Sequence, residues 1–243
     1  MDQMKLHWKL FSEWYSNEKI LEGFYNPVKN YIQKKTGTII DIGCGQSSYL
    51  IDFLNSEFEL YAVDTDKDQL KYLQNRVIKA GYDKNRITYS SNEFPSKDFS
   101  NNIFSAVIIS NLLHFFPKSY AFEYVNTIKK YCEDEALIMI TVHSSEHLHS
   151  EEITPESYFK SFYTKADLES MFPISEFEHL YYLQVNKAFD NYTVKFIEHW
   201  IKEVCNGQLT LKEIKAEQED YLRDGRTTSI DFMVKKRSTT RSG

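Results

Sequence analysis

Residues Thr38 to Tyr49 read TIIDIGCGQSSY. An apolar, β-branched run leads to one carboxylate, then two glycines separated by a cysteine, then small polar residues. The run predicts a buried strand over Thr38–Ile42, the glycines a tight turn, and the residues that follow a helix over Ser48–Leu54. In a parallel sheet this strand–turn–helix unit sets a helix N-terminus against a ligand. The pattern G-x-G-x-x-G that cradles a dinucleotide is incomplete, because Gly43-Cys44-Gly45-Gln46-Ser47-Ser48 lacks its last glycine. Asp41 lies two positions before the first glycine. At about 4 Å and an effective dielectric of about 20, a phosphate beside it would cost roughly 4 kcal/mol. A ligand with a positive charge and no phosphate reverses that sign.

The next strand, Glu59–Val63, ends in Asp64, roughly 20 residues beyond the turn, the separation expected of a carboxylate that accepts hydrogen bonds from ribose hydroxyls. S-adenosylmethionine, with a sulfonium and an ammonium beside an adenosine, satisfies both acids. Taken singly, Asp41 or Asp64 could cap a helix and either glycine could merely permit a turn. Together, on consecutive strands, they define a site.

Working outward, helices are predicted over Lys67–Ala80, stopped by Gly81, and over Ser119–Tyr131. Strands are predicted over Arg86–Ser90, Ala106–Ser110 (AVIIS) and Ala136–Val142 (ALIMITV). Strands apolar on both faces that alternate with helices give a parallel sheet covered on both sides. Phe177–Val185 and Thr228–Val234 read as a final strand pair with a helical stretch, Phe189–Arg223, between them. Residues 4–33 carry Trp8, Phe11, Trp14, Tyr15, Leu21 and Phe24 at helical spacing. The expected organisation is one domain over 1–243: an N-terminal helical arm or lid over 1–36, a cofactor-binding core over 37–142, and a helical insert over 186–225.

With 243 residues, 42% hydrophobic, a core of this size is within reach. The net charge of −6 argues against bulk nucleic-acid binding and against anionic membranes. The three cysteines are too few and too scattered for a disulfide framework or a zinc site. No stretch approaches the roughly 18 apolar residues of a membrane span, and Met1-Asp2-Gln3 does not begin a signal peptide, so a cytoplasmic protein is expected. The basic tail Lys235–Gly243 reads as a frayed end.

From Thr38 to Val142 the chain resembles the class I S-adenosylmethionine-dependent methyltransferases. The resemblance rests on the D-x-G-x-G turn Asp41-Ile42-Gly43-Cys44-Gly45, on Asp64, on the loop Ser91-Asn92-Glu93-Phe94-Pro95, and on FSAVIISNLLHFF over Phe104–Phe116. It implies a doubly wound, Rossmann-like, seven-stranded, mostly parallel α/β sheet whose last strand is antiparallel. It also implies S-adenosyl-L-methionine held by Asp41, Gly43, Cys44, Gly45, Asp64, Thr65, Asn92, Glu93 and Asn111. Three places depart from the family: Ser47 stands where a third turn glycine is usual, Ser91 and Asn92 where an Asp usually contacts adenine, and Phe104-Ser105 where Phe-Asp precedes the fourth strand.

Methyl transfer needs orientation, desolvation and in some cases a base. Candidates for the base are His114, after the fourth strand, and His143, at the end of the fifth; the bland alternative for each is packing. The segment HSSEHLHSEE over His143–Glu152 has no metal-ligand spacing, and no metal is expected. Trp14 and Tyr15 are candidates for a substrate pocket under the arm. The stripe Tyr192, Phe196, Trp200 completes the pocket, forms a homodimer face or buries itself. The leading expectation is methyl transfer to O or N of a small-molecule acceptor. Rivals are protein side-chain methylation, RNA methylation and a non-catalytic cofactor-binding subunit; a dehydrogenase is disfavoured by Asp41.

Overall fold

In the computed structural model, the described residues are 3–15, 24–99, 102–147, 150, 153–154, 156–206, 208–223 and 225–238. Seven strands form one sheet in the order β3-β2-β1-β4-β5-β7-β6. They are β1 (Thr38–Ile42), β2 (Glu59–Val63), β3 (Thr88–Ser90), β4 (Phe104–Ser110), β5 (Cys132–His143), β6 (Phe177–Ala188) and β7 (Arg226–Lys236). Strands β1 to β5 pair in parallel, whereas β7 runs antiparallel to both β5 and β6. The chain winds from β1 outward to β3, then returns to place β4 on the other flank of β1. This reversal of winding leaves a crevice at the carboxyl ends of β1 and β4, the usual ligand position in such sheets.

Alternation along the central strands explains why both faces are apolar. Ile40, Val107, Ile109, Ile138 and Ile140 enter one core, with Phe94, Phe104, Val125, Phe172 and Phe232. Ile39, Ala106, Ile108, Leu137 and Met139 enter the other, with Leu50, Leu60, Leu73 and Val77. Each such buried side chain contributes about 1.5–3 kcal/mol relative to exposure. Helix α4 (Lys67–Lys79), capped by Asp66, lies on the second face, and α5 (Lys118–Ile128) on the first.

Some boundaries differ from the sequence expectation for local reasons. The helix after the glycine turn, α3, covers only Ser48–Ile51. β3 begins at Thr88 because Asp83 accepts from the Asn85 amide and starts a 3-10 turn over Lys84–Arg86. β5 begins at Cys132, reaching the buried block past Glu135, which has φ 65°. Helix α6 (Lys165–Met171), closed by a Thr164–Asp167 capping box, precedes β6.

The arm is not one helix. Its described parts are α1 (Gln3–Trp14) and the short α2 (Pro27–Tyr31), which starts at an Asn26 cap with Pro27 in its first turn; Leu21 lies outside the described residues. The insert between β6 and β7 is a helix pair, α7 (Asn191–Cys205) and α8 (Leu211–Leu222). Phe196 of α7 is the hub on which α1 rests, with ring centroids of His7, Phe11, Trp14 and Tyr15 at 5.1, 5.8, 6.1 and 5.5 Å. The Tyr192 hydroxyl donates to the Trp14 carbonyl at 3.1 Å, and Trp200 Nε1 to the Gln3 carbonyl at 3.3 Å.

Candidate functional site

A cavity of about 840 Å³ opens at the crevice between β1 and β4. Its floor is the turn after β1. Gly43 and Gly45 take φ of 67° and 49°, in the left-handed region. A Cβ on Gly43 would lie 2.7 Å from Leu112 Cδ1, whereas one on Gly45 would meet nothing closer than Gln69 Oε1 at 3.9 Å. Gly43 therefore permits close packing on the β4 side, and Gly45 leaves the cavity floor bare. The Gly43 and Cys44 amides donate to the Val63 carbonyl at 2.8 and 3.0 Å, tying the turn to β2.

Ser47 has a reason to stand where the family carries glycine. Its hydroxyl accepts from the Leu50 amide at 3.0 Å, capping α3, and donates to Asp41 Oδ2 at 2.6 Å. Asp41 is 1% exposed, and its second oxygen, Oδ1, has no hydrogen-bond partner among the described residues. Burial raises its pKa to about 7; the Ser47 bond opposes that rise and the nearby Asp64 charge adds to it. A lone buried carboxylate oxygen costs several kcal/mol unless something donates to it. Gln46 Oε1 and Gln69 Oε1, which also line the cavity, are buried acceptors without partners as well. Three unmatched acceptors around one turn fit a ligand that brings donors and positive charge. Arg76, whose Nη1 donates to the Gln46 carbonyl, is the one cation among the described lining residues, against the carboxylates of Asp41, Asp64, Asp66 and Glu93.

Asp64 does more than the sequence suggested. Its Oδ2 accepts from the Gly45 amide and its Oδ1 from the Asp66 amide, both at 2.8 Å, so it braces the turn while facing the cavity. Its pKa is raised by burial and held back by these two bonds. Thr65, Asn92, Glu93 and Asn111 line the same cavity, as do Cys44 and the two glycines. The structure thus brings all nine expected cofactor-binding residues to one place. Asn111 has φ 54°, and its amide donates to the Thr141 carbonyl at 2.8 Å, holding the β4 end open beside β5. Cys44 is buried, and its thiol pKa is pushed well up by desolvation, as for an inert packing residue.

The catalytic and substrate-pocket expectations fare differently. His114 is 1% exposed and does not line the cavity; burial pushes its pKa down to about 2, helped by His143 and His147. Its ring centroid lies 4.1 Å from that of His143, tilted by 31°, and His143 lies 4.8 Å from His147, tilted by 59°, against Phe159. Neither His114 nor His143 is among the residues that line the cavity, and both rings pack against Phe159. Among the described residues no group of His, Cys, Asp and Glu could hold a metal; His149, Glu151 and Glu152 lie outside them. Trp14 and Tyr15 do not line the cavity either. They pack on Tyr192, Phe196 and His199 of the insert.

The cavity instead takes Trp8 and Phe11 from α1, together with Phe24, Phe115, Phe116 and Tyr158. Gln46 Nε2 donates to the Trp8 carbonyl at 3.0 Å, fastening the arm to the turn. Tyr49 also lines the cavity. Its hydroxyl lies 3.4 Å from Thr141 Oγ1, which donates to Asp231 Oδ1 at 2.9 Å, and its pKa is raised to about 12, chiefly by burial. Sequence reasoning missed Tyr49 because nothing local distinguishes it from a core tyrosine.

A crevice at this reversal of winding is the usual ligand position of a doubly wound α/β sheet. The comparisons narrow the class. The family model described as a methyltransferase domain matches residues 39–135. No curated protein matches the chain by sequence. Among solved structures, the chain is similar to a putative methyltransferase from Bacillus halodurans C-125 (16% identity, TM-score 0.60, covering 87% of this chain and 97% of that one). It is similar also to coclaurine N-methyltransferase bound to N-methylheliamine and SAH (11%, 0.59, 90% and 72%). A third similar structure is the [4+2]-cyclase SpnF (14%, 0.60, 86% and 79%). At these identities the likeness is one of fold. The matched methyltransferase-domain model spans the part of the chain from β1 into β5, and the solved structures share the fold around it.

Proposed function

We propose that the protein binds S-adenosyl-L-methionine in the β1–β4 cavity and transfers its methyl group to O or N of a small-molecule acceptor. When bound, this cofactor supplies an electrophilic methyl on a sulfonium leaving group. The observation that carries the reading is the unpartnered, buried Oδ1 of Asp41, which calls for an ammonium or another cationic donor. Around it, Asp64 and Thr65 face the place of ribose hydroxyls, Asn92 and Glu93 that of an adenine edge, and Asn111 that of the methionine part. Trp8, Phe11, Phe24 and Phe115 exclude water and offer ring faces to positive charge. Tyr49, held by Thr141, can accept a hydrogen bond from the acceptor's N–H or O–H and so orient it.

The supporting feature for a small acceptor is the aromatic lining of the cavity, to which α1 contributes Trp8 and Phe11. Incubating the protein with methyl-labelled cofactor and a fractionated cell extract tests this. Label is expected in the low-molecular-mass fraction. Label in proteins would overturn the small-molecule reading in favour of side-chain methylation. Cofactor binding with no label transferred to any fraction would favour a non-catalytic subunit.

A further inference from the structure

At the opposite end of the sheet from the cofactor cavity, a second concavity of about 590 Å³ lies where α5, α6, the start of β6 and the end of β7 meet. Lys129, Lys130, Lys236 and Arg237 line it, with Glu176 as the single carboxylate. The chain as a whole is acidic, with 35 Asp and Glu against 29 Lys and Arg. Some lysines elsewhere pair with acids: Lys29 with Asp52, Lys118 with Asp167, and Lys235, next along β7, with both Glu135 and Glu178. Among the described residues none of the four cations in the concavity makes an ion pair. Three are instead fixed by backbone carbonyls, which orient the side chains without neutralising them: Lys129 on Met171, Lys236 on Cys132 at 2.6 Å, and Arg237 Nε on Ile174 at 3.0 Å. Lys129 in this way caps the last turn of α6 and contributes background charge. Lys130, two donors of Lys236 and the outer edge of the Arg237 guanidinium remain for a ligand.

Like charges gathered in a recess repel, and holding them there costs stability unless a counter-charge arrives. An arginine fork with lysine point charges suits a phosphoryl oxygen set. The volume exceeds that of a bare phosphate, and Phe122, Met171 and Phe177 give the recess an apolar floor. We infer that this recess is a second binding site, separate from the cofactor cavity, for a small phosphate monoester whose organic part rests on that floor. The inference is independent of the methyl-transfer reading.

Calorimetric titration of the full chain with phenyl phosphate, with and without S-adenosylhomocysteine, tests it. Saturable one-to-one binding is expected in both cases, with none for phenol. The Lys130→Glu/Arg237→Glu double variant, altered at exposed positions, should bind phenyl phosphate at least tenfold more weakly, and Lys236→Gln severalfold more weakly. Unchanged thermal midpoints and unchanged S-adenosylhomocysteine affinity would show that the fold survives both changes. No saturation, equal binding of phenol, or affinity undiminished in the double variant would overturn the site.

Discussion

Asp41 is a carboxylate that the fold buries with one oxygen unmatched, so it links protonation to ligand binding. Its folded pKa, about 7, lies above the ordinary 3.8. The stabilising effect of its proton is full below the unfolded value and is lost as pH rises through 7. At pH 8 the ligand-free protein carries an ionised, desolvated Asp41. Asp41→Asn should then raise the unfolding free energy, with about 4 kcal/mol as an upper bound from the rise of its pKa from 3.8 to about 7, measured by denaturant titration. The same substitution should weaken S-adenosylhomocysteine binding. At pH 6 binding of that ligand should release a proton from Asp41, seen as a heat that varies with buffer ionisation enthalpy and vanishes in the variant. Asp64→Ala removes the partner of two backbone amides as well as the proposed ribose acceptor, so its affinity loss should be about 1–3 kcal/mol by calorimetry. The sequence showed Asp41 and Asp64 at strand ends. It could not show that Ser47 would bind Asp41, since that bond depends on how the turn closes.

At the scale of elements, the arm and the insert form one unit. α1 offers Trp8 and Phe11 to the cavity and Trp14 and Tyr15 to α7, so one helix serves both as roof and as anchor. Helical spacing identified the aromatic stripe but not its division between two neighbours, because α7 is far away in sequence and its stripe matched several partners equally well. Phe196→Ala removes the hub of this packing and should cost about 3–5 kcal/mol, measured by chemical denaturation. It should also speed proteolysis of the arm. The central strands were legible because each is apolar on both faces. Their ends were less so: β5 starts earlier because Glu135 can adopt a left-handed conformation, which no pattern announces.

Across the whole molecule, the acidic balance hides an uneven distribution, with carboxylates around the β1–β4 cavity and a cluster of cations at the far end of the sheet. Buried histidines add a pH dependence of their own. His114 has a folded pKa of about 2, below the ordinary 6.5, so its contribution is present above 6.5 and is lost as pH falls. At pH 5 that loss is about 2 kcal/mol. His114→Phe should therefore lose less stability than the unaltered protein between pH 7 and pH 5. The comparison isolates the histidine from Asp41, Asp64 and Asp231, whose raised pKa values act in the opposite sense. His114 and His143 were read as bases because they follow strands that end at the cavity. The burial of His114, and the packing of both rings against Phe159, are tertiary facts that the local sequence does not carry.

The most direct measurement is calorimetric titration of the purified protein with S-adenosylhomocysteine and, separately, with NAD, for the native chain and for Asp41→Asn. Saturable binding of the first, weakened by the substitution, and no uptake of the second are expected. Binding of NAD in the β1–β4 cavity without binding of S-adenosylhomocysteine would contradict the account.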